Sequence, residues 1–242
     1  RQAFRPRHGQ KQLQIIPIHP GTFAKLQNIF EILPLFGAKM QAYGVATTQW
    51  EDSMKEIGHW INGKMVAGTS GRFADVYNPA TGELQARVAL ASPAELAHAI
   101  AEAEKAQPIW AATNPQRRAR VMMKFGDLIN QHMDELAELV AIEHGKTIPD
   151  AKGDVQRGLE VIEVCMGAPA LLKGEYTDSA GPGIDLYAMR QPLGVVAAIT
   201  PFNFPAMIPL WKMGPALSCG NAVILKPSER VQIGRASCRE RV

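Results

Sequence analysis

Two apolar runs in the last third of the sequence most constrain the fold of this chain. The first run, 195–198, leads into a proline-bracketed turn at 199–205, and a stretch rich in Met, Leu and Trp follows. The second run, 222–225, closes on Lys226. A strand, a tight loop, a helix and a second strand form a parallel βαβ unit. Because ligands collect at the carboxyl ends of such strands, we expect the chemistry there.

The bulk composition excludes several classes of protein. The 242 residues are 46% hydrophobic and 20% charged, which is typical of a globular protein. The net charge of +3 is too small to indicate nucleic-acid binding, and no apolar run reaches the ~20 residues that span a bilayer. We expect neither a nucleic-acid nor a membrane partner. Cysteines without metal-ligand spacing, which indicate a reducing compartment and no metal site, stand at Cys165, Cys219 and Cys238.

The two ends of the sequence differ from its middle. Residues 1–53 begin basic and free of acid, which indicates either a transit peptide or translated upstream sequence. Residues 231–242 show neither strand nor helix periodicity, and they resemble a translated sequencing adapter. The regular pattern runs from Met54 to Arg230. One parallel strand pair cannot cover a sheet buried on both faces, so we interpret the chain as a fragment.

Turn and capping signals predict the elements that precede the βαβ unit. Asn62-Gly63 predicts a hairpin turn, and a second turn at 76–83 precedes a strand at 84–90. Ser-Pro and Asn-Pro pairs predict helix starts at Ser92, with a capping box, and at Asn114. The remaining predicted elements are a helix that ends at Gly145, a helix over 149–172 that Gly153 and Gly158 weaken, and a strand over 184–190 with one apolar face.

Polar residues after the two strands of the βαβ unit are candidates for chemistry. Asn203 offers N–H donors to an oxyanion without adding charge, or it caps the following helix. Lys226 and Glu229 suit the hydroxyls of a nucleotide ribose, or they form a surface ion pair. The unit lacks the Gly-x-Gly-x-x-Gly pattern, so a standard Rossmann phosphate loop is not predicted.

Candidates outside this unit have simpler alternatives. Arg157, inside the predicted long helix, is suited to grip a substrate carboxylate bidentately, or it is a solvent-exposed helix residue. Cys219 is interpreted as a small buried residue rather than a nucleophile. Residues 145–147 resemble the end of a phosphate loop, but they follow a helix and lack the upstream glycine, so we discard that interpretation.

As a set, these motifs resemble the NAD-dependent aldehyde dehydrogenase superfamily over about 54–230. Within it, the sequence most resembles the CoA-acylating methylmalonate-semialdehyde dehydrogenases, through 202–207, 184–194 and the setting of Arg157 in 153–158. The stretches that match the superfamily, in family order, are 77–83, 143–147, 201–205, 211–217, 220–221 and 225–229.

The resemblance implies a fold, cofactors and residue roles. The fold would be α/β, with a Rossmann-type parallel sheet and flanking helices, and NAD and coenzyme A would be bound. Asn203 would donate to the oxyanion of a thiohemiacetal, and Arg157 would bind the substrate carboxylate. Thr200 and Phe202 would line the nicotinamide side of the cofactor site. The residues implied to hold the adenosine half are Lys226, Glu229 and Arg230.

The resemblance also implies a reaction and an organisation. A cysteine thiolate would attack the semialdehyde, hydride would pass to NAD, and coenzyme A would release propionyl-CoA, or acetyl-CoA from malonate semialdehyde, with loss of carbon dioxide. Residues 54–180 and 193–230 would belong to the NAD-binding domain. Residues 181–192 would begin an oligomerisation arm of a homo-oligomer. The location would be the cytoplasm in a bacterium or the mitochondrial matrix in a eukaryote.

Two alternatives and one expectation accompany this interpretation. The family's nucleophilic cysteine lies downstream of Val242, so we expect no dehydrogenase activity from the 242-residue chain. The first alternative is an aldehyde dehydrogenase that acts on another semialdehyde without coenzyme A. The second is a catalytically inactive fragment that binds nucleotide or joins an oligomer.

Overall fold

The computed structural model describes residues 55–228, where helices and short strands alternate along the chain. The residues 1–54 and 229–242, including the predicted leader and tail, lie outside the described part. The strands are β1 (Lys55–Ile57), β2 (His59–Ile61), β3 (Lys64–Val66), β4 (Phe73–Tyr77), β5 (Leu84–Ala89), β6 (Tyr176–Gly181), β7 (Ile184–Tyr187), β8 (Val195–Ile199) and β9 (Ala222–Lys226). The helices are α1 (Pro93–Ala112), α2 (Pro115–Gln131), α3 (Met133–His144), α4 (Ile148–Met166), α5 (Ala168–Leu171) and α6 (Met207–Ser218).

The predicted βαβ unit is confirmed. Strands β8 and β9 pair in parallel, with Val195 opposite Ala222 and Ile199 opposite Lys226, and helix α6 connects them. Every residue of β9 is buried. A strand that is buried on both faces reads as a continuous apolar run, which explains why its sequence pattern was so clear.

Helices cover both faces of β9. Ala222 and Ile224 pack in one apolar cluster with Ala99 and Ala103 of α1. The alternate residues of the strand point the other way, because successive side chains in a strand lie on opposite faces. On this other face, Val223 and Leu225 of β9 belong to a second apolar cluster, whose other buried members are Met122, Cys165, Ala198 and Leu217.

Helix α4 lies at the centre of the helical layer, where it packs against α2, α3 and α6. Its buried stripe recurs at helical spacing and includes one charged residue, Asp154. The predicted long helix divides at Gly167 into α4 and α5. Helix α4 runs without a break through Gly153 and Gly158, the two glycines that were predicted to weaken it. A side chain at position 158 would collide with Leu210, so the glycine lets α4 and α6 approach closely.

Predictions of turns and helix caps are confirmed where residues adjacent in the sequence determine them. Asn62 and Gly63 join β2 to β3 with φ values of 52° and 73°, as a two-residue hairpin turn requires. Asn114 caps α2 through its side chain, and Gly145 ends α3 in the left-handed conformation.

The segment around the predicted strand at 184–190 differs from expectation. Strand β7 ends at Tyr187 and pairs with β6, which begins at Tyr176 and was not predicted. All residues of β7 are exposed, so the apolar face predicted for this strand is present but is not covered by other residues of the described chain. Apolar residues that alternate along a strand normally lie on a face that other elements cover, but in this hairpin they are exposed.

The capping box at the start of α1 supports a prediction about acid stability. The Ser92 hydroxyl accepts from the Glu95 N–H, and the two Glu95 carboxylate oxygens accept from Ser92 N and Thr69 N at 2.7 and 2.6 Å. Burial by itself would raise the pKa of Glu95, but these hydrogen bonds from Ser92 and Thr69 outweigh it and lower the pKa to about 2. The ionised carboxylate therefore stabilises the folded chain.

We expect Glu95→Gln to lower the free energy of unfolding by about 1 kcal/mol at neutral pH, since glutamine keeps only one acceptor oxygen. The folded pKa lies below the unfolded one, so the difference between variant and parent is full above pH 4.5 and disappears as pH falls towards 2. Urea unfolding across this range measures it. Glu104→Gln, on the exposed face of the same helix, is the control. An equal loss in both variants contradicts the prediction.

Candidate active site

The carboxyl edge of the β8–β9 pair brings two of the predicted site residues together. The Thr200 N–H donates to the Lys226 carbonyl at 3.1 Å, continuing the ladder one residue past β8. Thr200 and Lys226 are both only 5% exposed. This edge is where ligands bind in parallel α/β sheets. The predicted cofactor residues Glu229 and Arg230 lie outside the described residues, and the cofactor roles of all these residues stay predictions.

Asn203 lies in the loop that joins β8 to α6, and its side chain is exposed. The alternative that it caps α6 does not fit the structure, because the N-cap residue is Ala206 and no side chain caps the helix from that position. Phe202 and Phe204, on either side of Asn203, are 41% and 38% exposed. The loop therefore carries an exposed, uncharged carboxamide, flanked in the sequence by two partly exposed aromatic residues, after the carboxyl end of β8.

A buried carboxylate from another helix contacts the end of this loop. Asp154 of α4, whose side chain is completely buried, accepts from the Met207 N–H at 2.8 Å through one oxygen. Its other oxygen accepts from Lys146 Nζ at 2.9 Å. The Lys146 Nζ also lies 4.2 Å from the centre of the Phe204 ring. One ion pair thus contacts both the loop and the first residue of α6.

His144, at the end of α3, contacts the same loop. Its ring lies beside the Phe202 backbone. Burial lowers the pKa of His144, and the charge of Lys146 lowers it further, against the opposing effects of Asp154 and the Phe202 backbone. A neutral imidazole at this position fits beside the Lys146 cation without repulsion.

Sequence reasoning did not assign roles to His144, Lys146 or Asp154. One signal could have found Asp154. It stands within the helical stripe of α4 whose other buried members, including Val155 and Leu159, are apolar or small. A charged residue at a core position needs a partner, and that need points to a lysine or arginine nearby in space.

Arg157 is not brought to the loop by any contact in the described chain. Its side chain is 69% exposed and pairs with Glu160 one turn further along α4. Its backbone carbonyl accepts from the Trp211 indole at 2.9 Å, which fixes this part of α4 against α6. Its predicted substrate-binding role is untested and stays a prediction.

The described residues include Cys165 and Cys219, and Cys219, which was expected to be buried, is half-buried. Cys165 is buried, and burial raises the pKa of its thiol, which disfavours the reactive thiolate. Within residues 55–228, no group of three or more histidine, cysteine or acidic side chains is placed to hold a metal ion. No helix in the same range is both long and apolar enough to cross a membrane. The chemistry available is hydrogen-bond donation from Asn203 and the positive charge of Lys226.

Curated proteins of similar sequence include two semialdehyde dehydrogenases. A malonate-semialdehyde dehydrogenase from Pseudomonas aeruginosa is 50% identical over 177 residues, which cover 73% of this chain and 35% of that protein. The human methylmalonate-semialdehyde/malonate-semialdehyde dehydrogenase [acylating], described as mitochondrial, is 44% identical over 186 residues, which cover 77% of this chain and 35% of that protein. The chain therefore spans about a third of the length of these relatives.

Solved structures agree with this relationship. A protein assigned as a methylmalonate-semialdehyde dehydrogenase from Sinorhizobium meliloti, solved as a complex with NAD, superposes with a TM-score of 0.72 and 64% identity over 74% of this chain and 37% of that chain. The methylmalonate-semialdehyde dehydrogenase of Oceanimonas doudoroffii superposes with a TM-score of 0.71 and 51% identity, over 73% of this chain and 36% of that chain. The fold predicted from the sequence, α/β and aldehyde-dehydrogenase-like, is confirmed. Residues 65–238 match the model of the aldehyde dehydrogenase family, and the chain belongs to that family.

Proposed function

We propose that this chain forms part of the NAD-binding domain of a CoA-acylating dehydrogenase of malonate or methylmalonate semialdehyde. The observation that carries the proposal is the carboxyl edge of β8 and β9, where Thr200 and Lys226 lie side by side and the Asn203 loop begins. The relatives named for these substrates and the neighbour solved with NAD support it. The chain covers about a third of those proteins, so the whole enzyme's activity is part of the proposal.

The donors at this edge fit NAD. The Lys226 ammonium, with Glu229 and Arg230 beyond the strand, suits the ribose hydroxyls of the adenosine half, which accept and donate hydrogen bonds. The exposed Phe202 ring and Thr200 suit the nicotinamide side. When bound, NAD accepts the hydride from the substrate. The protein's own residues orient the two halves of the dinucleotide.

Asn203 has the role of an oxyanion donor in this proposal. A cysteine thiolate that attacks the aldehyde produces a thiohemiacetal with negative charge on its oxygen. A neutral carboxamide donates to that oxygen, and it needs no proton transfer to do so. The exposed position of Asn203 at the loop is consistent with this role. Arg157 is proposed to bind the substrate carboxylate, because its guanidinium matches a carboxylate bidentately.

Cofactor binding gives the direct test of this proposal. We expect the 242-residue chain to bind NAD in isothermal titration calorimetry, and Lys226→Met to weaken binding about tenfold through the lost charge-assisted hydrogen bond. Lys212→Met, which removes an exposed lysine of α6, is the matched control. Equal affinities of the Lys226→Met variant and the parent contradict the role of Lys226, and absence of NAD binding contradicts the proposal as a whole.

The substrate is tested on a protein of the relatives' full length that contains this sequence. Formation of NADH from malonate semialdehyde that depends on coenzyme A, with acetyl-CoA as product, supports the acylating reaction. NADH formation that ignores coenzyme A supports the alternative, a dehydrogenase of another semialdehyde that releases a free acid.

The exposed hairpin of β6 and β7 favours an assembly role for this part of the chain. Tyr176 and Tyr187, which lie opposite each other in the hairpin, are 64% and 70% exposed, and large exposed apolar side chains grouped in this way favour an interaction site. We propose that residues 181–192 belong to an arm that pairs with another subunit of a homo-oligomer. Light scattering after gel filtration measures the mass. A monomer at micromolar concentration contradicts this part of the proposal.

A further inference from the structure

The end of α3 and the short loop after it approach the Asn203 loop on both sides of Asn203. His144, the last residue of α3, lies beside the backbone of Phe202, the residue before Asn203. The Lys146 ammonium lies over the ring of Phe204, the residue after it, at a distance at which a cation is attracted to an aromatic face. His144 at the end of α3 and Lys146 in the following loop therefore lie on either side of Asn203, the residue to which the proposed oxyanion role is assigned.

The Asp154 carboxylate fixes the far end of the Asn203 loop. The first N–H groups of a helix have no partner inside the helix, and a negative charge there is favoured by the helix dipole. Asp154 supplies that charge to Met207, the first residue of α6. A buried carboxylate is stable only when its charge is compensated. Lys146, whose side chain is 13% exposed, provides the compensation.

This ion pair differs from the others on α4. Lys152 pairs with Asp134 at 2.6 Å, but the two side chains are 46% and 83% exposed. The pair of Arg157 with Glu160 is also exposed. Exposed pairs contribute little, because solvent screens them. The Lys146–Asp154 pair is shielded, and each of its members also contacts the Asn203 loop or α6.

We propose that Lys146 and Asp154 are positioning residues, and that their ion pair holds the Asn203 carboxamide at the carboxyl edge of the sheet. The catalytic use of a fixed Asn203 rests on the proposed function. The contacts that fix the loop do not depend on it. Without the Lys146 charge, the buried Asp154 carboxylate loses its compensation, and its hydrogen bond with the Met207 N–H weakens. The Phe204 ring loses its cation in the same step, so the part of the loop that follows Asn203 loosens at two points.

Amide hydrogen exchange of the 242-residue chain, resolved by mass spectrometry, tests the positioning role. In the parent we expect the Met207 amide to be protected like the interior of α6, although it opens the helix. In Lys146→Met we expect exchange over 202–208 to rise about tenfold, as the loss of a charge-assisted hydrogen bond predicts, while α1 and β9 exchange as in the parent. Lys146→Arg keeps the charge and should restore most of the protection.

Lys152→Met is the matched control, because it removes an exposed ion pair from α4, the helix that carries Asp154, and leaves the loop contacts intact. Unchanged exchange over 202–208 in Lys146→Met overturns the proposal, and so does a uniform rise across the chain, which indicates a general loss of stability. If Lys146→Met does not fold, an unprotected Met207 amide in the parent still overturns it. Calorimetry with NAD separates the two proposals: altered loop exchange in a chain that binds no NAD supports positioning while contradicting the proposed function.

Discussion

Replacement of Arg118 by methionine is expected to lower the free energy of unfolding by about 3 kcal/mol, because a buried cation with several hydrogen bonds is lost. Arg118 of α2 is 5% exposed. Its guanidinium donates to the carbonyls of Ala111 and Ser218, each at 3.1 Å, and also to the Thr113 carbonyl. It ties the link between α1 and α2 to the end of α6. Methionine fills similar space but leaves these carbonyls without their donor.

Thermal and urea unfolding measure this effect. For a chain of this size the expected loss lowers the melting midpoint by about 6–12 °C. Arg120→Met on the exposed face of the same helix is the control and should change the midpoint little. Arg118→Lys should fall between parent and methionine variant, since an ammonium keeps the charge but not the planar fork. A loss in Arg118→Met no larger than in Arg120→Met contradicts the assignment.

Alanine at Gly158 is expected to destabilise the chain by about 2 kcal/mol, because it forces α4 and α6 apart. An added Cβ would lie 2.4 Å from Leu210 Cδ1 and 3.1 Å from Leu210 Cβ. The methyl end of Leu210 can rotate away, but its Cβ is fixed by the α6 backbone. The helices must separate, and the Trp211 hydrogen bond to Arg157 weakens with them.

Gly153 provides the matched comparison on the same helix. An added Cβ there meets nothing within 4 Å, so alanine relieves the intrinsic cost of glycine in a helix. We expect Gly153→Ala to stabilise the chain by about 0.5–1 kcal/mol. Parallel urea unfolding of the two variants tests both signs. A gain in stability from Gly158→Ala contradicts the close approach of the two helices.

The elements that sequence reasoning predicted are those whose determinants lie close together along the chain. The capping box at Ser92, the turn at Asn62-Gly63 and the left-handed end of α3 at Gly145 each depend on a few neighbouring residues. The βαβ unit was predicted because β9 is buried on both faces and is therefore apolar throughout. The loop placement of Asn203 followed from these elements.

The features that were missed depend on partners far along the chain. Nothing near Asp154 in sequence shows that it contacts Met207, which lies 53 positions away. Arg118 reads as one of several basic residues of α2 until its contact with Ser218 is seen, 100 positions away. Strand β6 was missed because its sequence, Tyr176–Gly181, combines polar and small residues without an apolar alternation. The strand it pairs with, β7, is exposed along its whole length. In each case, contacts between residues far apart in the sequence, rather than local conformational preference, determine the role of the residue.

Helix α6 is held at both ends by charges that belong to other helices. Asp154 is at its first residue, and Arg118 donates to the carbonyl of its last residue, Ser218, with the Trp110 indole beside it on the Leu217 carbonyl at 2.8 Å. Each charge matches the sign that the helix dipole favours at that end. A helix anchored in this way resists sliding along its own axis. If the cofactor edge rearranges when ligands arrive, the change must be a hinge within residues 200–206 rather than a shear of α6 across the sheet.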